Sequence, residues 1–167
     1  MRSHDVPSTA GWRIAALTSD AALFLLERSR PDGTSSWWRA EFALDADGWS
    51  LADAGTCELR PNFGHGYAAA TWTLARGRGP APTTTRLHVL VTERECASGQ
   101  SAEGRVADPA IAVDAGSVTI YFAVKVLPEG RTCPGNPPLR LDVELPEALG
   151  NRILLDGGAF PPEQRWP

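Results

Sequence analysis

Lysine is almost missing from this chain of 167 residues: Lys125 stands alone, and arginine supplies the rest of 16 basic side chains against 20 acidic ones. With a formal charge of -4 and no basic cluster visible beyond Arg76 and Arg78, the clustered cations that a phosphate-binding face needs are missing, and nucleic acid is not expected as a partner. Long apolar runs are absent too. The best candidate, Ala21 to Leu26, falls far short of the ~18 residues that cross a membrane as a helix. Residues 1–10 carry Pro7 and lack the apolar centre of a secretory signal, so they read as a loose leader. The protein is then expected either to work where it is made or to start after an excised export segment.

Catalytic signatures are scarce. There are three histidines and three cysteines, with no C-x-x-C, no H-x-x-x-H and no phosphate-cradling glycine loop between a strand and a helix. Ser98 and Ser117 lack the G-x-S-x-G strand-to-helix setting of an activated serine. Asp45-Ala46-Asp47-Gly48 starts like a calcium loop, but Trp49 and Ser50 stand where a ligand and a glycine are needed. No metal and no cofactor is expected. A zinc site from Cys57, His65, Cys96 and Cys133 would need tertiary convergence. A Cys57 nucleophile with His65 as base is the other thiol option weighed. Glu93 and Glu95, two apart at a strand end, read as a solvated end in preference to a hydrolase carboxylate pair.

What is present is alternation. Trp38, Ala40, Phe42 and Leu44 fall on one face of WWRAEFAL, with Trp37, Arg39 and Glu41 on the other. Leu87, Val89 and Val91, then Val118, Ile120, Phe122, Val124 and Val126, then Leu139, Leu141, Val143 and Leu145 keep the same period of two. Ser19-Asp20 reads as a tight turn between WRIAALT and AALFLLER, a helix from Asp20 being the alternative. Arg30-Pro31-Asp32-Gly33 is a turn by its chemistry. Asp45 to Gly48 reads as a turn and Trp49 to Gly66 as irregular, with one helical turn near Leu51. About eight or nine short strands with frequent turn signals predict an all-β chain, a two-layer β-sandwich of Ig-like architecture. One domain is expected over 11–160, with residues 161–167 an extended tail. A division near Gly77–Pro82 would leave two halves too small to bury a sheet face comfortably.

The three cysteines sit beside turn formers, in GTCELRP, RECASG and RTCPGNPP. Inert buried cysteines favour apolar segments, so loop placement points to pairing. The Cys96 and Cys133 loops come out at one end of a β-layer, and a disulfide between them is expected. Three free thiols or another pairing are the alternatives. Such a bond persists only in an oxidising compartment.

The string CASGQSAEGRV, then TCPGNPP, VELPEALGNR and LLDGG, resembles an uncharacterised family of bacterial extracytoplasmic domains common in actinobacteria. The resemblance covers roughly residues 53–162 and is most specific from Glu95 to Gly158; the GTC at 55–57 and the Trp72 strand also fit. It implies an exported or anchored β domain with Cys96 and Cys133 paired. It assigns no activity, so no catalytic residue follows from it. An arginine- and alanine-rich composition fits a GC-rich bacterial source.

The function expected is a non-enzymatic extracytoplasmic interaction or ligand-binding module, secreted or membrane-anchored, with a cytoplasmic site as the alternative. Its partner would be a protein or a glycan. Binding residues concentrate on loops held by a rigid scaffold, which singles out Arg94, Glu95, Gln100, Arg131 and Asn136. Trp37 joins them because it points away from Trp38, and an outward indole can meet a sugar ring or a partner. Trp12 and Trp49 belong to the same carbohydrate-binding alternative, while Trp38 and Trp72 are expected in the core. A hydrolase or metal-dependent enzyme whose site assembles only in three dimensions is the remaining alternative. His4 falls in the leader, and His65 and His88 read as a loop and an exposed strand histidine.

Overall fold

The computed structural model describes residues 10–29, 35–75, 79–128 and 130–166. His4 and most of the expected leader, the Arg30–Gly33 turn, and Arg76 and Arg78 lie outside the described residues. Among those described there is no helix, and eleven strands form a four-stranded and a seven-stranded sheet. The all-β class expected from the alternation therefore holds, with more strands than the eight or nine expected from turn signals. The chain divides into two compact units, residues 1–59 and 60–167. The boundary falls at Leu59/Arg60, away from the Gly77–Pro82 loop.

The first unit is an antiparallel meander of β1 (Arg13–Leu17), β2 (Ala21–Ser29), β3 (Ser35–Asp45) and β4 (Gly48–Cys57). The turn at Ser19-Asp20 forms as expected. Thr18 N donates to Ala21 O at 2.8 Å, and the Thr18 hydroxyl donates to Asp20 Oδ1 at 2.9 Å. β4 corrects the reading of 49–57 as irregular with a helical turn. A bulge shifts the β3–β4 register between Glu41↔Asp53 and Phe42↔Leu51, so Ala52 has no opposite residue. Leu51 and Ala54, three apart, consequently share a face, and a period-two reading breaks down there. β1 carries the same device: Ile14 opposes Phe24 and Ala16 opposes Leu23. Both bulges steer apolar side chains to one face. That face holds Ile14, Leu17, Leu44, Trp49 and Leu51, all exposed, beside the buried Ala22, Leu26, Ala40 and Ala54. Phe24 and Phe42 meet edge to face on it at 5.6 Å, and Arg28 lies over Trp38. The opposite face carries the Arg39–Glu41 and Arg39–Asp53 ion pairs.

The second unit contains β5 (Tyr67–Leu74), β6 (Arg86–Glu93), β7 (Ala110–Val113), β8 (Ser117–Lys125), β9 (Leu139–Glu144), β10 (Ile153–Asp156) and β11 (Glu163–Trp166). Its strand order is β11-β10-β8-β5-β6-β9, with β7 also on β8. β8 organises the sheet. One edge takes β7 from Val118 to Tyr121; the other takes β10, in parallel, over Ser117–Ile120 and then β5 over Phe122–Lys125. The strict alternation from Val118 to Val124 follows from this central place, and Val118, Ile120, Phe122 and Val124 are buried together with Trp72, Leu87, Val89, Val91, Val143 and Leu154. His88, by contrast, sits on the outer side of β6 as expected, with Nδ1 2.6 Å from Asp142 Oδ1 on β9.

Where β5 and β10 part from each other, a side chain replaces the missing ladder bond. Asp156, buried at the end of β10, accepts from Trp72 N at 3.1 Å, the Thr71 hydroxyl at 2.6 Å and Arg165 Nη2 at 2.6 Å. Its other oxygen accepts from Gly158 N at 2.8 Å. The glycine pair after Asp156 is needed by close approach. A Cβ on Gly157 would lie 2.3 Å from the Tyr121 ring, and one on Gly158 2.4 Å from Ala70 O. Past Asp156-Gly157-Gly158 the tail expected to be extended supplies β11.

Candidate functional site

Two loops leave the same end of neighbouring strands. Residues 94–100 follow β6, and residues 131–138 precede β9, its antiparallel partner. Cys96 and Cys133 join them in a disulfide with a Cα–Cα distance of 4.6 Å. The expected staple is therefore present, and Cys57 is the free thiol. Backbone and side-chain bonds reinforce it. Ser98 N donates to Thr132 O at 2.9 Å, and Thr132 N to Ser98 Oγ at 3.1 Å. Ser98 holds a left-handed φ of 53° next to Gly99 at 73°, a conformation a non-glycine residue keeps only when its surroundings impose it.

The floor under the loops is an ion pair. Glu93, expected on a solvated strand end beside Glu95, is instead 4% exposed and accepts from Arg105 Nη1 at 2.8 Å and Nη2 at 2.5 Å. The strand places it on the core face with Val89 and Val91, where only a paired carboxylate is tolerated. Arg105 also donates to Lys125 O at 2.8 Å and Ser101 O at 3.1 Å. The hydrogen bonds that Arg105 donates to Glu93 push the guanidinium pKa further up, against the opposing effect of burial.

The five loop residues named from sequence take different places. Arg94, Gln100 and Arg131 are exposed. Arg94 also borders a shallow 260 Å³ cleft with Thr71, Asp156, Gly158, Ala159 and Glu163. Glu95 is half-buried and pairs with Arg60 at 3.3 Å. Asn136 turns its amide inward, donating to Glu93 O at 3.0 Å and Glu95 O at 2.7 Å, so it fastens one loop to the other. Trp37 belongs to the first unit, half-buried on β3 opposite Glu27 and Cys57.

The other chemistries divide cleanly. Cys96 and Cys133 spend their sulfurs on each other, which removes them from a zinc set, and no group of three or more metal-ligating side chains occurs among the described residues. Burial pushes the Cys57 thiol pKa up, with Arg39 opposing, the reverse of what an activated nucleophile needs. Ser117 donates to Asp114 Oδ2 at 2.8 Å, but that carboxylate also accepts Gly116 N and Ser117 N and closes the β7–β8 turn. Among the tryptophans, Trp72 is fully buried, Trp38 and Trp12 are half-buried, and Trp49 is 49% exposed.

Sequence reading missed Arg105, the Asp156–Arg165–Thr71 cluster and a second, larger cleft at the other end of β6. Spacing carries no signal for the cluster, whose Thr71 and Arg165 are 94 residues apart. The Asp-Gly-Gly triplet was the one local hint. No protein-family model matches the chain, and no curated protein and no solved structure is similar to it.

Proposed function

We propose that the second unit is a non-enzymatic recognition module that presents the loops 94–100 and 131–138 to a protein or glycan partner. The observation that carries this reading is the disulfide-joined pair of loops, cross-tied by Ser98–Thr132 and by Asn136, with Arg94, Gln100 and Arg131 among its exposed residues. Loops fixed before binding lose little entropy on binding, and affinity benefits from that preorganisation. A disulfide of this kind is maintained outside the reducing cytosol, which supports an extracytoplasmic site. The resemblance of residues 53–162 to an exported actinobacterial family belongs to the same proposal.

The test is affinity capture from an envelope extract with three baits: the oxidised chain, the reduced chain, and a triple variant Arg94→Ala, Gln100→Ala, Arg131→Ala. The expected result is a partner held by the first bait and lost from the third. Equal capture by all three would remove these loops from the binding surface. The exposed Trp49 supports a second reading, a carbohydrate face on the first unit; its indole emission would then respond to a glycan panel, and a Trp49→Ala variant would lose that response.

A further inference from the structure

The larger cleft of the second unit encloses 660 Å³ where β5 and β6 end, bounded by the chain from Gly79 to Thr84 and by the end of β11. Ligand sites for small molecules fall in this size range, about 300–1,000 Å³. Three features of its lining bear on what could enter.

The first is charge. Arg86, His88 and Arg165 line the cleft, and no carboxylate does among the described residues. Their acidic partners, Glu144, Asp142, Asp156 and Glu163, stand outside the lining. Arg86 meets Glu144 through Nε, and its Nη1 and Nη2 make no bond among the described residues. That leaves the planar fork suited to a carboxylate. His88 engages Asp142 through Nδ1, which leaves Nε2 for a hydroxyl.

The second is hydroxyl chemistry: Thr73 and Thr84 bring short side chains that both donate and accept. The third is the wall. Trp166 packs on the core and against Gly79, where a Cβ would come within 1.9 Å of the ring, and its remaining, partly exposed surface borders the cleft. An indole wall gives apolar ring faces something to lie against, while polar atoms reach the edges. Cations, hydroxyls and an indole together complement a hydroxylated anion with an apolar ring face.

We infer that this cleft binds an acidic saccharide, one or a few pyranose rings bearing carboxylates. A uronate carboxylate is held by the Arg86 fork, ring hydroxyls by Thr73, Thr84 and His88 Nε2, and a sugar C–H face by the Trp166 wall. The cleft is distinct from the disulfide-joined loops, so it stands or falls independently of partner capture there.

The experiment uses the full oxidised chain and trigalacturonate as the probe, with its methyl ester as the uncharged analogue and acetate as the carboxylate without a ring. Titration calorimetry and tryptophan emission read the binding. Saturable binding of trigalacturonate is expected, with the ester weaker by about tenfold or more, as loss of a charged hydrogen bond implies. Arg86→Gln should weaken the acid by a similar factor and leave the ester unchanged. The Arg86–Glu144 pair is on the surface, with side chains 60% and 61% exposed, so this variant keeps its fold. Equal affinity for acid and ester, competition by acetate at matched concentration, no saturable binding of the acid, or no effect of Arg86→Gln would each overturn the assignment.

Discussion

Reduction of the Cys96–Cys133 bond should cost the second unit about 4 kcal/mol in the chain-entropy account of a loop this size. The figure follows from the sequence separation of 37 residues, because opening the crosslink returns that loop's freedom to the unfolded chain. The hydrogen bonds between Ser98 and Thr132, and from Asn136 to Glu93 O and Glu95 O, survive reduction. They act in the folded state and put no constraint on the unfolded one. For a unit of roughly a hundred residues the loss corresponds to a melting temperature lower by on the order of 15 °C. The assay is thermal melting followed by circular dichroism, with and without reductant, in a Cys57→Ser background that prevents thiol exchange. A Cys96→Ala, Cys133→Ala double variant should melt with the reduced protein. A loss below about 1 kcal/mol would refute the reasoning, since it would mean that the unfolded chain already holds these loops close together.

Asp156→Ala should destabilise the second unit by about 2–4 kcal/mol, because it leaves the Trp72 amide without its acceptor and the Arg165 cation with only the exposed Glu163 as an acidic partner among the described residues; urea titration of the variant measures it, and a cost under about 1 kcal/mol would show that water replaces the carboxylate. Glu93→Gln should be costly alone, since Arg105 keeps its charge in a site only 15% exposed at the side chain. Glu93→Leu combined with Arg105→Met should cost less than the sum of the singles, and a double-mutant cycle reads the difference. Asp114 supplies a pH dependence. The Ser117 hydroxyl first, then the backbone N–H groups of Gly116 and Ser117, hold its carboxyl pKa below the usual aspartate value. A lowered folded pKa means stability that is present above the unfolded value and lost as pH falls through the folded one. The gap between the wild type and Asp114→Ala should therefore be widest near neutrality and narrow in acid, as denaturant midpoints taken at successive pH values will show.

The placement of the loops 94–100 and 131–138 at one end of the sheet was legible because cysteines beside turn residues and strict alternation in β6, β8 and β9 are local signals. Trp72 could be placed in the core for the same reason: one face of YAAATWTLA is apolar throughout. Elsewhere local signals misled. Glu93 looks like a strand-end charge, and its burial depends on Arg105, a residue from another part of the chain. Asn136 looks like a loop ligand, and only the folded position of two carbonyls shows it to be a tie between loops. β4 looked irregular because its bulge breaks the period on which strand recognition rests.

The all-strand architecture and the turn at Ser19-Asp20 are legible in the chain alone, because each is written in neighbouring residues or in a period of two; the loop setting of the cysteines pointed to pairing, and the fold brought Cys96 to Cys133 across 37 residues. Tertiary structure alone decided the sharing of β8 between β10 and β5, and the carboxylate of Asp156 that takes the Trp72 amide where those strands part. It also decided which cations line the cleft at Trp166. These depend on contacts between residues tens of positions apart, and a charge's neighbours in space, not its neighbours in sequence, set what it can bind.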